Sequence, residues 1–143
     1  MEEHVLVPVD GSPLAYDALR HALEKFQDAT ITVLHVIDVF EPTDGGSLYE
    51  PMMGSQEWEA MERDAAEAVL SEAETIAADY DRHIETTSEI GDPQRLIPDF
   101  ARDEGVDHVV IGVHGRDEAD RTMFGRVADT VVYRSPVSVT VIR

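Results

Sequence analysis

Apolar residues follow two different patterns along this chain. In the first pattern they form short runs rich in valine and isoleucine, such as residues 109–111, with few polar interruptions. Runs of this kind are typical of strands that are buried on both faces of a sheet. They predict five strands, over residues 4–9, 30–37, 83–89, 107–113 and 136–143, of which 83–89 is the least apolar.

In the second pattern apolar residues recur every three or four positions, which is typical of amphipathic helices. This spacing predicts helices over residues 13–26, 56–80, 93–102 and 124–134. Two of them have start signals, since Ser12 precedes Pro13 and Asp92 precedes Pro93. The expected buried sides are Trp58, Met61, Ala65, Val69, Ala73, Ile76 and Tyr80 in the second helix, and Val127, Val131 and Val132 in the last.

Strands and helices alternate along the chain, and this order predicts the fold class. We expect an α/β fold, a single-domain, doubly wound, five-stranded parallel sheet with helices on both sides. A chain of 143 residues suits one domain, which we take as residues 1–143. Residues 38–55 have no periodicity and several glycines and prolines, so we expect one long loop there.

Charge and composition exclude several classes of function. The chain has 30 acidic and 11 basic residues, for a net charge of −19, and Lys25 is its single lysine. Such a field repels nucleic acid, and it favours a salt-rich cytoplasm because salt screens repulsion within the fold. An ordinary acidic protein is the alternative. Without cysteine there is no disulfide or thiolate site, and no histidine pair has the helical spacing of a zinc site.

The chain also lacks the patterns of a membrane or exported protein. No apolar run approaches the roughly 20 residues that a spanning helix needs. The first residues are acidic and lead straight into a predicted strand, which is unlike a secretory signal. We therefore expect a cytoplasmic protein with no membrane partner.

Three glycines, in the pattern Gly112-x2-Gly115-x9-Gly125, indicate a possible anion site. Gly112 ends a predicted buried strand, and Gly125 opens a predicted helix whose free N–H groups and dipole favour a phosphate. Glycines in such places are also common turn formers, and the spacing alone does not separate the two interpretations.

Asp10 follows the first predicted strand, and it would meet Gly112 if the first and fourth strands are neighbours. Ligands of doubly wound sheets bind beyond the carboxyl ends of the strands, where the strand order reverses. A carboxylate there accepts hydrogen bonds from ribose hydroxyls or from an adenine amino group. Asp10 also fits an Asx turn before the helix, and the two roles are compatible.

Several segments resemble the universal stress proteins, in order and over nearly the whole chain. They are residues 5–12 (VLVPVDGS), 34–38 (LHVID), 91–93 (GDP), the glycine pattern above, 127–129 (VAD) and 136–141 (PVSVTV). The resemblance implies a Rossmann-like fold of the adenine nucleotide alpha hydrolase type. It also implies that Pro8, Asp10 and the backbone of Val36 contact adenosine. The implied phosphate path is lined by Gly112, Gly115, Gly125 and Val127, to which we add His114 and Arg126.

Arg126 departs from the family pattern, which has a phosphate-binding serine or threonine after the third glycine. An arginine pairs well with phosphate, or it fills the site and prevents binding. Arg116 and Arg121 lie in the same loop and either neutralise phosphate charge or pair with neighbouring acids.

The favoured function is that of a universal stress response protein that binds ATP, with or without Mg²⁺, and acts as a homodimer through its last strand. Hydrolysis is expected to be slow or absent. Two alternatives stay open. One is a stress protein that binds no nucleotide and works through its dimer surface or protein partners. The other is a slow ATP hydrolase that uses His114 or Asp10.

Overall fold

The computed structural model describes residues 3–38, 55–113 and 123–143. Within these ranges strands and helices alternate as predicted. They are β1 (His4–Pro8), α1 (Pro13–Lys25), β2 (Thr30–Ile37), α2 (Ser55–Asp79), β3 (Glu85–Ile90), α3 (Pro93–Asp103), β4 (His108–Gly112), α4 (Met123–Arg134) and β5 (Ser138–Ile142).

The five strands form one all-parallel sheet in the order β3-β2-β1-β4-β5. The predicted α/β class and five-stranded parallel sheet are therefore confirmed. From β1 the chain moves outward to β2 and β3, and then returns to add β4 and β5 on the other side of β1. Right-handed crossovers place α1 and α2 on one face of such a sheet, and α3 and α4 on the other. The helices accordingly pack in these two pairs.

The turns that start α1 and α3 have the expected chemistry. The Ser12 hydroxyl accepts a hydrogen bond from the Ala15 N–H at 3.3 Å, and Pro13 follows at the first helical position. Asp92 caps α3 in the same way, with its carboxylate accepting from the Gln94 N–H at 3.0 Å. Both helices start at the carboxyl end of the strand before them, so their free N–H groups face that edge of the sheet.

The core is continuous across both faces of the sheet, and β1 is its centre. Val5, Leu6 and Val7 have no exposed surface. Two of the residues of α4 that were expected to be buried are buried, with Val127 at 2% and Val131 at 0% exposure.

Two details of the predicted core are wrong. Val132 is 51% exposed, because it lies about 100° around α4 from Val131. Met61 is 59% exposed and Ala65 is exposed as well, whereas Ala66, Ala73 and Ala77 are buried. The face of α2 that packs on the protein is thus centred on small residues, which permit close approach. The prediction had centred this face on the larger apolar residues. The loop expected over 38–55 lies outside the described residues except at its two ends.

Candidate functional site

The strand order reverses at the border between β1 and β4, which is where a doubly wound sheet binds its ligands. The two strands are paired neighbours, with Val5 opposite His108 and Leu6 opposite Val109. The carboxyl ends of β1, β2 and β4 therefore meet at one edge. Asp10 was expected to lie near Gly112 if β1 and β4 were neighbours, and the observed strand order meets that condition.

Pro8 gives the reason why a crevice opens at this border. Pairing between β1 and β4 runs only to Leu6 and Val109, although β4 continues to Gly112. Along β1, His4 directs its carbonyl to β4, since it accepts from the Asp107 N–H at 2.7 Å. Alternation then directs the backbone nitrogen of Pro8 to β4 as well, and proline has no N–H to offer. The pairing of the two strands therefore ends before Pro8, and a crevice is expected beyond that point.

Asp10 stands at the mouth of this crevice, held by a tight turn. Its Oδ1 accepts a hydrogen bond from the Ser12 N–H at 2.9 Å, which is the expected Asx turn. Gly11 between them has a φ of +88°, a left-handed conformation that favours glycine. The turn fixes the carboxylate, and an ionised carboxylate has two oxygens that each accept more than one bond. Contact of Asp10 with a ligand stays a prediction.

The phenol of Tyr16 lies near enough to Asp10 for the negative charge of Asp10 to affect its pKa. Tyr16, in α1, donates its hydroxyl to the Val69 carbonyl of α2 at 3.2 Å. Burial, together with the charges of Glu72 and Asp10, raises the pKa of Tyr16. The phenol therefore stays protonated and keeps linking α1 to α2 beside the site, up to a higher pH than a free tyrosine would.

Val36 presents backbone polar groups beside Asp10. The last backbone bond between β1 and β2 joins the Val9 N–H to the Leu34 carbonyl at 2.9 Å. Alternate residues of a strand point to the same neighbour, so Val36 is the next position of β2 that faces β1. The chain of β1 turns away at Asp10, and β2 runs on to Ile37. The N–H and C=O of Val36 thus point at the space that β1 leaves.

His35 is a residue of this edge that sequence reasoning missed. Its Nδ1 lies 2.9 Å from the Val9 carbonyl, and because a carbonyl only accepts, Nδ1 carries the proton. A continued ladder would have offered that carbonyl to the Val36 N–H. The histidine thus ties the end of β2 to the end of β1. The contact joins residues 26 positions apart, and nothing local in the sequence indicates it.

Gly112 is a glycine because a helix, not a ligand, occupies the space of its side chain. A Cβ built there would lie 2.5 Å from the Leu14 carbonyl oxygen and 2.7 Å from its carbon. These are backbone atoms of the first turn of α1, and they cannot move aside as a side chain can. The glycine lets α1, and with it the Asp10 turn, approach the end of β4.

The start of α4 supplies the expected helix N-terminus. Gly125 is the third residue of the helix, within the turn whose N–H groups have no intrahelical partner. Arg126 is exposed, whereas the side chains of Val127 and Ala128 are buried in the core. Val127 therefore anchors the turn by its side chain, and any contact it makes with a ligand would be through its backbone.

The remaining predicted site residues are not among those that the structure describes. His114 and Gly115, together with Arg116 and Arg121, lie outside the described residues. Within the described ranges, no group of three or more histidine or acidic side chains is arranged to hold a metal ion. No helix among the described residues is long and apolar enough to cross a membrane.

Comparison with known proteins identifies the family. A model described as the universal stress protein family matches residues 1–143. Among curated proteins, a putative universal stress protein of Staphylococcus epidermidis, SERP1273, is 30% identical over 99% of this chain and 84% of its own. Universal stress protein MJ0577 of Methanocaldococcus jannaschii is 28% identical, over 100% of this chain and 96% of its own.

Solved structures agree with this. The chain is similar to universal stress protein UspA from Lactobacillus plantarum, with a TM-score of 0.76, 27% identity and coverage of 99% and 97% of the two chains. The structure of MJ0577 has a TM-score of 0.78, 25% identity and coverage of 99% and 96%. More distant structures share the fold, including a universal stress protein in complex with cAMP, with a TM-score of 0.69, 20% identity and coverage of 99% and 97%. Another, from Archaeoglobus fulgidus, is in complex with dAMP, with a TM-score of 0.66, 22% identity and coverage of 100% and 98%. The present chain belongs to the universal stress protein family.

Proposed function

We propose that this protein binds an adenine nucleotide, with ATP as the preferred ligand, at the carboxyl ends of β1, β2 and β4 and the start of α4. The backbone of Val36 is the observation that carries the proposal. It offers a donor and an acceptor side by side, at a strand end beside a carboxylate. Solved proteins of the same family hold cAMP and dAMP, which makes adenine the first base to test.

The backbone pattern of Val36 suits adenine in particular. On its Watson–Crick edge adenine carries an acceptor, N1, next to a donor, the N6 amino group. The Val36 N–H would donate to N1, and its C=O would accept from N6. Guanine has the reverse pattern, with N1–H as donor and O6 as acceptor. The Val36 N–H would then face another donor, and the Val36 C=O would face another acceptor. A lost pair of this kind is costly because buried polar groups stay unsatisfied.

The rest of the nucleotide has partners of suitable chemistry. Asp10, at the mouth of the crevice, would accept hydrogen bonds from the ribose hydroxyls. The free N–H groups of the first turn of α4, which contains Gly125, together with the helix dipole, favour phosphate. Arg126 follows in the same turn and is exposed, so its guanidinium is available to pair with phosphate oxygens. Mg²⁺ would arrive on the phosphates, as it does at many nucleotide sites.

The test is a calorimetric titration of the purified protein in concentrated potassium chloride with ATP, ADP and GTP. We expect heat with ATP and ADP and at least tenfold weaker binding of GTP, a difference of about 1.4 kcal/mol. Equal affinity for ATP and GTP would contradict the role of Val36. Absence of binding by every adenylate would leave the alternative of a stress protein that works without nucleotide. Turnover of labelled ATP in the same buffer distinguishes a binder from a slow hydrolase.

We also infer that the protein forms a homodimer through β5. Two strands lie at the edges of the sheet, β3 and β5. On β3 the exposed residues Glu85 and Glu89 surround Thr-Thr-Ser, and charges on an edge strand oppose pairing. On β5 the residues Val139, Val141 and Ile142 are only half-buried. Tyr133, in α4 just before β5, is 90% exposed, which adds apolar surface beside this edge.

Sedimentation equilibrium in concentrated salt checks this inference. The result expected is twice the mass of the chain, and replacement of Val141 by lysine should give monomers, whereas Thr87→Lys on β3 should not. A strict monomer in the wild type would contradict the dimer. The acidic composition fits the salt-rich cytoplasm proposed above, and a melting temperature that does not rise with added potassium chloride would argue against that setting.

A further inference from the structure

A side-chain hydrogen bond joins α3 and α4, the two helices that pack on the same face of the sheet. The Thr130 hydroxyl of α4 donates a hydrogen bond to the Gln94 side-chain oxygen of α3 at 3.0 Å, in a half-buried setting. Gln94 lies in the first turn of α3, whose Asp92 cap holds its N–H. A threonine within a helix commonly bonds back to its own helix instead. The link therefore fixes one helix relative to the other.

The contact sets how far α4 extends towards the carboxyl edge. Thr130 is the eighth residue of α4, whereas Gln94 is the second of α3. Both helices run antiparallel to the strands, so they run parallel to each other. At 1.5 Å per residue, α4 begins roughly 9 Å further towards the carboxyl edge than α3 does. The turn with Gly125 and Arg126 thus projects past the start of α3.

The contact also fixes which way α4 is turned about its axis. Arg126 precedes Thr130 by four residues, so both leave the helix on the same side, towards α3. Val127 and Val131 occupy the side that packs on the core. In the sheet, α3 packs over β2 and α4 over β4 and β5, so the seam between the helices lies over β1 and its border with β4. Arg126 therefore leaves α4 on the side of the crevice.

We propose that Gln94 and Thr130 are a positioning pair for the phosphate end of the site. By fixing the height and rotation of α4, the pair holds Arg126 and the free N–H groups of the first turn over the crevice. This inference rests on the nucleotide site proposed above and deepens it. The pair acts on the phosphate end through the placement of α4, so its removal should weaken binding of the phosphates and leave binding of the nucleoside unchanged.

The experiment compares ATP with adenosine in variants of this pair. Thr130→Val removes the hydroxyl at nearly constant shape, and Thr130→Ser restores it. Thr75→Val is the matched control, because the Thr75 hydroxyl donates to the Ser71 carbonyl of its own helix at 3.1 Å, on an exposed face of α2. For Thr130→Val we expect ATP affinity to fall about threefold to tenfold, the range of one hydrogen bond. Adenosine affinity should change less than twofold, Thr130→Ser should bind ATP like the wild type, and Gln94→Leu should repeat the loss.

Two results would overturn the proposal: unchanged ATP affinity in both Thr130→Val and Gln94→Leu, or equal losses for ATP and adenosine. Hydrogen exchange of the ligand-free proteins separates this inference from the function on which it rests. The amides of residues 126–130 should exchange faster in Thr130→Val than in the wild type or Thr75→Val, and unchanged exchange would refute the positioning role. A wild type that binds no adenylate refutes the proposed function, while the exchange experiment still decides whether the pair holds α4.

Discussion

The amino ends of the strands lie along one side of the sheet, the amino edge, and their carboxyl ends along the other, the carboxyl edge. Polar groups are arranged differently at these two edges. At the amino edge side chains satisfy the backbone. The Arg82 guanidinium donates to the carbonyls of Leu23, Phe26 and Ala29, at 3.1, 3.3 and 3.0 Å, and thereby caps the end of α1. Asp107 accepts from the His4 N–H at 2.9 Å. At the carboxyl edge β1 ends before β2 does, and the backbone N–H and C=O of Val36 point at the space beyond the end of β1.

This contrast separates residues that serve stability from residues that we propose serve binding. Thr32, the buried polar residue among those described, bonds to His4 at 2.8 Å near the amino edge. His108 is joined to Thr140 at 2.7 Å nearby. Polar groups at this edge are thus paired within the protein. At the other edge the backbone N–H and C=O of Val36 point past the end of β1, where we propose that a nucleotide binds. The account predicts that damage to the first edge lowers stability alone, and damage to the second lowers stability and binding.

The largest effect is expected at the carboxyl edge, from Gly112→Ala. A Cβ 2.5 Å from the Leu14 oxygen forces α1 away from β4, which should cost about 3 kcal/mol, the upper part of the range for overpacking. The Asp10 turn moves with α1, so ATP affinity should fall as well. Denaturant unfolding and calorimetry in concentrated salt measure the two losses.

Gly105→Ala is the matched control at the amino edge. Gly105 has a φ of +68°, and a Cβ there would meet nothing within 4 Å. The substitution adds only the strain of a left-handed alanine, about 1–2 kcal/mol, and should not change ATP affinity. If Gly112→Ala were no more destabilising than Gly105→Ala, the close approach of α1 would not be the reason for the glycine.

The next largest effect is expected at the amino edge, from Arg82→Ala. Three carbonyls lose a charged donor, and half-buried acceptors are left unsatisfied, so the free energy of unfolding should fall by about 2 kcal/mol. ATP affinity should stay within twofold of the wild type. Arg20→Ala, which breaks an exposed pair with Asp17, should cost less than about 1 kcal/mol. A change in ATP affinity in Arg82→Ala would contradict the separation of the two edges.

Much of this architecture follows from the sequence, because local patterns determine it. Apolar runs, helical spacing and the two Pro-containing caps predict the order of elements, and the boundaries differ by only a few residues. The buried face of α2 was misjudged at Met61, because the packed face is centred on small residues, and that of α4 was misjudged at Val132, which lies about 100° around the helix from Val131. The candidate site was predicted as a set of glycines and an acid next to a strand end.

What the sequence could not predict are contacts between distant residues. The bonds of Arg82 join it to residues 53 to 59 positions away, and Thr130 reaches Gln94 over 36 positions. No local sequence pattern indicates the bonds of Arg82 or the bond between Thr130 and Gln94, because arginine and glutamine are ordinary surface residues in a helix or turn. Gly112 was expected to line the phosphate path, and the packing of α1 was needed to show that the backbone of Leu14 occupies the space of its side chain.

The most direct test of the central claim compares two aspartates with the same local role. Asp10 and Asp92 each accept from the N–H two residues on, at 2.9 and 3.0 Å, but only Asp10 stands at the border of β1 and β4. Calorimetric titration of Asp10→Ala and Asp92→Ala with ATP should show binding about tenfold or more weaker for Asp10→Ala, as for a lost bond to a charged group, and a much smaller loss for Asp92→Ala, which acts only through the turn that holds Gln94. Equal affinity in the two variants would contradict a nucleotide site at this edge.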